Sequence, residues 1–145
     1  MIKDPLTVDL ISTIPFIIQT RFNDTYLSHA TGFIYKSKDK NYLITNWHVM
    51  SGRHAQTKQP LHEHLATPNN LTIYPSIREG KFCQRISSGI RIDLFNEERD
   101  SFLWLEHPEF SNEIDVAAIE LENTHSGVLV NINQVLITIS IMKHT

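Results

Sequence analysis

The chain has 145 residues, which is the size of one ordinary domain or of a piece of a larger one, and it can bury a core. With 41% hydrophobic residues, 20% charged residues and a net charge of -3, the composition is that of a soluble globular protein and gives no general attraction to nucleic acid or anionic membranes. The single cysteine, Cys83, excludes an internal disulfide and is compatible with a reducing cytosol.

The amino-terminal segment MIKDPLTVDLISTIPFII is a poor match to a secretory signal peptide, because Asp9, Ser12, Thr13 and Pro15 interrupt its apolar run. No apolar run approaches the roughly 18 to 20 residues that a membrane-spanning helix needs. We therefore expect a soluble, cytoplasmic chain with neither nucleic acid nor membrane as a partner.

Short segments rich in Ile, Val, Thr, Tyr and Phe, separated by polar turns, predict strands in preference to helices. Polar breaks at Asn23 to Thr25 and at Lys36 to Asn41 are typical of hairpin turns. A short helical turn is predicted at Trp47 to Gly52. Six or seven short strands are typical of a barrel or a sandwich. In chain order the predicted strands are Ile14–Phe22, Leu27–Lys36, Tyr42–Thr45, Leu71–Tyr74, Arg85–Phe95, Phe102–Glu106 and Val116–Leu121.

Two stretches without alternation, Ser51 to Asn70 and His107 to Ile114, are predicted to be surface loops. The first is long enough to cover a site, although a solvated connector is the simpler interpretation. The apolar segment at about residues 123–145 is expected either to form a final strand or to need a further surface that buries it. No repeat or linker divides the chain, so we expect a single domain over residues 1–145.

One histidine, His48, follows the apolar run LITNW directly after a predicted strand, and Asp115 stands at the start of another strand. Catalysis by serine needs a base that takes the hydroxyl proton near neutral pH, and a carboxylate that holds the imidazole in the correct tautomer. Histidine and aspartate have these properties. A lone histidine after a strand is nevertheless more often a structural residue, so these two positions alone leave both interpretations open.

An ordered set of short motifs resembles the trypsin-like serine peptidases, in particular their bacterial single-domain members. By that resemblance His48 corresponds to the general base and Asp115 to the carboxylate that orients it. The resemblance implies an all-β fold in which a six-stranded Greek-key β-barrel supplies both residues and packs beside a second barrel. It also implies a peptide or protein substrate and no cofactor. The matching motifs are Thr31–Phe33, Leu43–Val49, Ser51–Arg53, Trp104, His107–Pro108 and Asp115–Ala117.

The family also needs a serine in a glycine-rich turn of the second barrel, resembling GxSGG or GMSGSP. The Ser-Gly pairs of this chain begin at Ser51, Ser88 and Ser126, and none has glycine two residues before the serine. The resemblance therefore covers the first barrel, and the second barrel is expected to be missing. Loss of the triad serine lowers turnover about a million-fold in subtilisin, so we expect this amino-terminal half of a serine endopeptidase to be inactive alone.

Other features have simpler interpretations or imply a different function. The histidines His54, His62 and His64 match no zinc-binding pattern, and no metal site is expected. Trp47 and Trp104 are expected to pack in or against the barrel. Gly32 is expected to leave room for a close backbone approach near His48, or to form a bulge.

The alternative function is a pseudoenzyme or protein-interaction module that uses the barrel groove, or self-associates through the apolar carboxyl-terminal segment.

Overall fold

The computed structural model describes residues 12–54, 57–61, 66–79, 82–110, 113–122 and 128–133. Within these ranges the protein is mostly β, which confirms the predicted all-β class. No helix in them is long and apolar enough to cross a lipid bilayer. The elements are β1 (Phe16–Phe22), β2 (Thr25–Ser37), β3 (Lys40–Thr45), α1 (Trp47–Ser51), β4 (Asn70–Ile73), β5 (Ser76–Glu79), β6 (Phe82–Arg85), β7 (Ile90–Asp93), β8 (Ala117–Leu121) and β9 (Val128–Leu129).

Six strands form one antiparallel sheet in the order β7-β4-β1-β2-β3-β8, and β6-β5-β9 form a second, smaller sheet. The long strand β2 joins two halves of the large sheet, one formed by β1, β4 and β7 and the other by β3 and β8. Its first part pairs with β1, up to the pair of Phe16 with Gly32, and its last part pairs with β3 from Phe33 onward. Since the two partners lie on opposite sides of β2, the strand passes from one half to the other and the sheet curls.

The segment between β7 and β8 joins the two outer strands of the curled sheet. The Leu103 N–H donates to the carbonyl of Leu94, immediately after β7. Leu105 and Ala118 of β8 exchange two backbone hydrogen bonds of 2.6 and 3.1 Å. The predicted strand at Phe102–Glu106 is therefore wrong, because this segment makes isolated bridges to two different neighbours in place of a ladder with one of them.

The predicted strand at Arg85–Phe95 is also wrong as a single element. It covers the end of β6 at Arg85 and all of β7, which begins at Ile90. Between them Gly89 has a φ of +75°, and a Cβ at this position would lie 2.7 Å from Thr72 Cγ2. A backbone in this left-handed conformation cannot continue a strand, so the alternation of RISSGIRIDLF spans a turn.

The core lies inside the curl, and alternation along each strand selects its residues. In β1 the side chains of Phe16, Ile18 and Thr20 are buried while Ile17 is exposed. A Cβ at Gly32 would lie 2.7 Å from Ile18 Cδ1 and 2.9 Å from the Ile44 carbonyl oxygen. The close backbone approach at Gly32 is therefore to the neighbouring strand. The buried hydrophobic cluster also includes Ile34, Leu43, Trp47, Val49, Met50, Leu71, Ile73, Ile92, Leu94, Trp104, Ala117, Ile119, Leu121 and Leu129.

The carboxyl-terminal segment is described only at residues 128–133, and residues 134–145 lie outside the described part of the chain. After β9 the chain runs beside β2, where the Ile132 N–H donates to the carbonyl of Ile34. The side chain of Asn133 then bonds both backbone groups of Lys36, at 2.9 and 3.0 Å. These bonds fix the described end of the chain on the large sheet.

The short helix α1 is capped at its carboxyl end by Gly52, which is also the last residue of the helical turn predicted from the sequence. Gly52 has a φ of +69°, and its N–H donates to the His48 carbonyl. We expect Gly52→Ala to lower the free energy of unfolding by at least about 1 to 2 kcal/mol, the cost of a left-handed backbone for a residue with a Cβ. The added methyl would also overlap Pro68, because its Cβ would lie only 2.4 Å from Pro68 Cδ. Urea unfolding measures this loss.

Asparagine at position 52 is the informative control, because asparagine tolerates the left-handed conformation better than alanine does. Gly52→Asn should recover part of the free energy that Gly52→Ala loses through its backbone conformation. It should not relieve the overlap with Pro68, because asparagine also has a Cβ. A Gly52→Ala protein as stable as the wild type would contradict the conformation of this helix end.

Candidate active site

Two neighbouring strands bring His48 and Asp115 together. Strand β3 ends at Thr45, whose side-chain hydroxyl donates to the carbonyl of Thr31 and fixes this end against β2. The pairing of β3 with β8 places Thr45 opposite Ala117. His48 follows Thr45 by three residues and Asp115 precedes Ala117 by two. Because the strands are antiparallel, both side chains come from the same end of the pair.

Both oxygens of the Asp115 carboxylate accept hydrogen bonds from His48. Oδ1 accepts the backbone N–H of His48 at 2.8 Å, and Oδ2 lies 2.6 Å from Nδ1 of the imidazole. An ionised carboxylate has no hydrogen to give, so the proton of this bond is on Nδ1. In the neutral ring Nε2 then carries the lone pair, which is the tautomer that a general base needs.

A third contact holds the backbone of Asp115. Asn46, the residue before α1, has an extended backbone with a φ of -73° and a ψ of 146°, and its side chain makes no capping bond to the helix. Its Nδ2 donates instead to the carbonyl of Asp115 at 3.1 Å. Asn46 and His48, which flank Trp47, therefore both bond Asp115.

A cavity of about 620 Å³ lies beside the pair, lined by residues of β2, of α1 and of the loop that follows it. His48 is in its wall, together with Leu27, Ser28, His29 and Ala30 of β2. The side chains of His48 and Asp115 are 40% and 37% exposed. The imidazole is therefore held firmly on one side by Asp115 and is accessible from the cavity.

The wall formed by β2 is a strand edge. Residues 28–30 of β2 pair with β1 on one side, and Leu27 is the extra residue at a register shift, whereas the ladder with β3 on the other side begins only at Phe33. Within the described part of the chain, no strand pairs with residues 27–30 on that second side. Backbone groups at such an edge are available to an extended peptide.

Other sequence-predicted residues take different places. Trp47 and Trp104 are buried at 5% and 6% exposure, which confirms that they pack in the core. His107 lies in a turn, where its Nδ1 accepts the backbone N–H groups of Glu109 and Phe110, both at 3.1 Å. The carboxylate-rich turn at Asn96 to Asp100 is exposed, and the hydrogen bond from Asn96 holds the pKa of Asp100 below its ordinary value.

Several candidate residues fall beyond the described ranges. The histidines His62 and His64 and the serine Ser126 lie there, as do parts of both predicted loops, at residues 55–56, 62–65 and 111–112. In the ranges that the structure does describe, no group of three His, Cys, Asp or Glu side chains could hold a metal ion.

Two residues that contribute to this region were missed at the level of sequence. Asn46 had a usable signal, since asparagine directly before a helical turn is a typical cap, but its actual partner is 69 residues away in sequence. Glu106 accepts hydrogen bonds from two tryptophans, and no sequence pattern indicates this. Comparison of the chain with protein-family models, with curated proteins and with solved structures found no match.

Proposed function

We propose that this chain is the first barrel of a trypsin-like serine endopeptidase, in which His48 is the general base and Asp115 is the carboxylate that orients it. The observation that carries the proposal is the double contact of Asp115 with His48. A surface ion pair needs only one contact between charged atoms. Here the second bond, to the backbone of His48, also fixes the direction from which the carboxylate meets the ring, as a catalytic triad requires.

The strand order supports the same proposal. The first three strands form a meander, and the chain later adds β4 beside β1 and β8 beside β3. Leu103 and Leu105 link the two outer strands across the remaining gap. A curled six-stranded sheet with these connections is compatible with a Greek-key barrel, whose rim would carry the histidine and aspartate.

The exposure of Asp115 leaves room for a further surface to cover it. In the Ser-His-Asp template the aspartate is buried, whereas the side chain of Asp115 is 37% exposed. No serine of this sequence has glycine two residues before it. We infer that a second barrel would cover Asp115 and supply both the serine and the backbone N–H groups that stabilise the oxyanion.

The chemistry follows from the tautomer of His48. Nε2 would take the proton of the serine hydroxyl as its oxygen attacks the peptide carbonyl, and Asp115 would stabilise the imidazolium that forms. The same Nε2 would then protonate the leaving amine, and water would hydrolyse the acyl-enzyme. The open edge of β2 would align the peptide in extended form beside His48.

The chain alone is expected to remain unlabelled by a fluorophosphonate probe, because this reagent reacts with serines that a base and an oxyanion site have activated. The measurement is mass spectrometry of the intact chain after incubation with the probe, with the heat-denatured chain as the control. Specific labelling of one serine in the folded chain, lost in His48→Ala, would place the nucleophile within this sequence and overturn the half-enzyme proposal.

The matched positive arm is the chain expressed together with the coding sequence that follows Thr145. If that sequence encodes a glycine-flanked serine, the longer protein should be labelled at this serine, and labelling should require His48. A following sequence without such a turn would favour a pseudoenzyme.

A second candidate function is self-association, and exposed apolar side chains near Asp115 favour it. Leu103, Leu105 and Val116 are each about half exposed. The bridge of Leu105 with Ala118 places Leu105 and Val116 on one face, because side chains alternate along extended backbone. Light scattering during size-exclusion chromatography tests this function. A concentration-independent monomer would exclude a second copy of the chain as the partner of this face.

A further inference from the structure

The carboxylate of Glu106 connects two tryptophans of the core. Its Oε1 accepts the indole N–H of Trp47 at 2.8 Å and that of Trp104 at 3.2 Å. Both indoles are buried, at 5% and 6% exposure, and Glu106 is itself half-buried. Hydrogen bonds to an ionised acceptor in such surroundings are stronger and more directional than those between neutral groups.

The first of these tryptophans directly precedes His48. Trp47 is the first residue of α1. A helix of only five residues has little stability of its own and depends on its packing against the rest of the protein. Glu106 fixes the edge of the Trp47 indole, and Lys58 Nζ lies over its ring, 5.0 Å from the centroid. Trp47 is therefore held at both the edge and the face of its ring, one residue before His48 in the same short helix.

The backbone next to Glu106 is fixed to the strand that follows Asp115. Leu105, the preceding residue, exchanges two backbone hydrogen bonds with Ala118. Ala118 is three residues after Asp115 and belongs to β8. Glu106 thus has its main chain anchored beside the aspartate's strand and its side chain anchored to the histidine's helix.

We propose that Glu106 is a positioning residue that holds His48 and Asp115 in register through Trp47. The inference rests on the proposed function, since it gives a purpose to the geometry of the His48–Asp115 pair. The physical reason is the shortness of that contact: the 2.6 Å distance between Nδ1 and Oδ2 tolerates little displacement of either backbone. In this proposal Glu106 acts through the elements that carry the two side chains.

A purely structural role is the alternative, in which Glu106 merely satisfies two buried indole N–H groups. The two roles differ in what they predict for the tryptophans. If Glu106 only satisfies donors, Trp47→Phe and Trp104→Phe should change the protein in similar ways, through stability alone. If it positions the pair, Trp47→Phe should disturb the His48–Asp115 bond while Trp104→Phe leaves it intact.

The test is proton NMR of the Nδ1–H of His48, which resonates far downfield when it is bonded to a carboxylate. The wild-type resonance is assigned by its absence in His48→Ala. Glu106→Leu should lose or strongly broaden this resonance, and Trp47→Phe should have the same effect. Glu106→Gln should retain it, because the carboxamide oxygen still accepts from both indoles. Trp104→Phe should also retain it. Amide spectra establish that each variant is folded.

The inference is overturned if folded Glu106→Leu and folded Trp47→Phe both keep the resonance at the wild-type position. If Glu106→Leu does not fold, Trp47→Phe decides the question alone, since phenylalanine preserves most of the buried ring while removing the indole N–H. The readout needs no serine and no catalysis. A failure of the peptidase proposal would therefore appear in the probe experiment and leave this result unchanged.

Discussion

Replacing His48 by alanine, in a protein that also includes the proposed serine-bearing barrel, is expected to lower kcat by about a million-fold, the size of the corresponding loss in subtilisin. Alanine leaves the serine without a base and the leaving amine without an acid. Asp115→Asn should lower kcat by about ten thousand-fold, because an amide cannot fix the Nδ1–H tautomer of His48. Hydrolysis of a chromogenic peptide ester measures both losses.

His29 provides the matched control for this experiment. It lines the same cavity as His48, but its Nδ1 bonds the Tyr26 hydroxyl at 2.9 Å and makes no contact with Asp115. His29→Ala should therefore change kcat far less than His48→Ala does. Similar losses in the two variants would contradict the assignment of the base to His48.

Ile18→Ala is expected to lower the free energy of unfolding by about 2 to 5 kcal/mol, as truncation of a fully buried aliphatic side chain does. Ile18 has no exposed surface and contributes to the core cluster. Its neighbour Ile17 is 56% exposed on the opposite face of β1, so Ile17→Ala should change stability by no more than about 0.5 kcal/mol. Urea unfolding of the two variants measures the difference.

The comparison of these adjacent isoleucines tests the register of β1. A slip of one residue would exchange the buried and exposed faces of the strand. Equal losses in Ile17→Ala and Ile18→Ala would therefore contradict the pairing of β1 with β2 and β4.

The sequence predicted those elements whose local signals agree with their tertiary environment. Strands β1 to β3 alternate, and the turns between them contain Asn23, Lys38 and Asp39, all with positive φ. The turns were located as polar breaks between apolar runs, and asparagine and aspartate also accept a positive φ more readily than most residues do. Strands β4 and β8 and the helical turn at Trp47 were also found where they were predicted, within one or two residues.

Some errors arise where pairing partners are distant in sequence. Strand β9 has only two residues, which is too few for an alternating pattern, and its partner β5 lies about 50 residues earlier in the chain. The segment at Phe102–Glu106 alternates like a strand, but its residues bridge different neighbours. Which partner an extended segment finds is decided by the curl of the sheet, which a local pattern does not contain.

In the candidate site, too, local sequence indicated some residues, whereas others depended on contacts between distant segments. His48 and Asp115 could be proposed as a pair because both flank predicted strands and have the chemistry of a base and of the carboxylate that orients it. The contact of Asp115 with the backbone of His48 needed the register of β3 with β8. The role of Glu106 depended on two indoles that lie 59 and 2 residues away from it in sequence.

The double contact between Asp115 and His48 has a consequence for how an enzyme of this kind could be assembled from two polypeptides. The pair is already arranged in this chain alone, and Asn46 and the β3–β8 ladder hold it without help from a partner. A second polypeptide that carried the serine would bind a site in which His48 is already held in place. Less conformational freedom would be lost on binding than if His48 had to be ordered at that step. Under the proposed function, this chain would be one half of a split enzyme, and activity would appear only when the two halves associate.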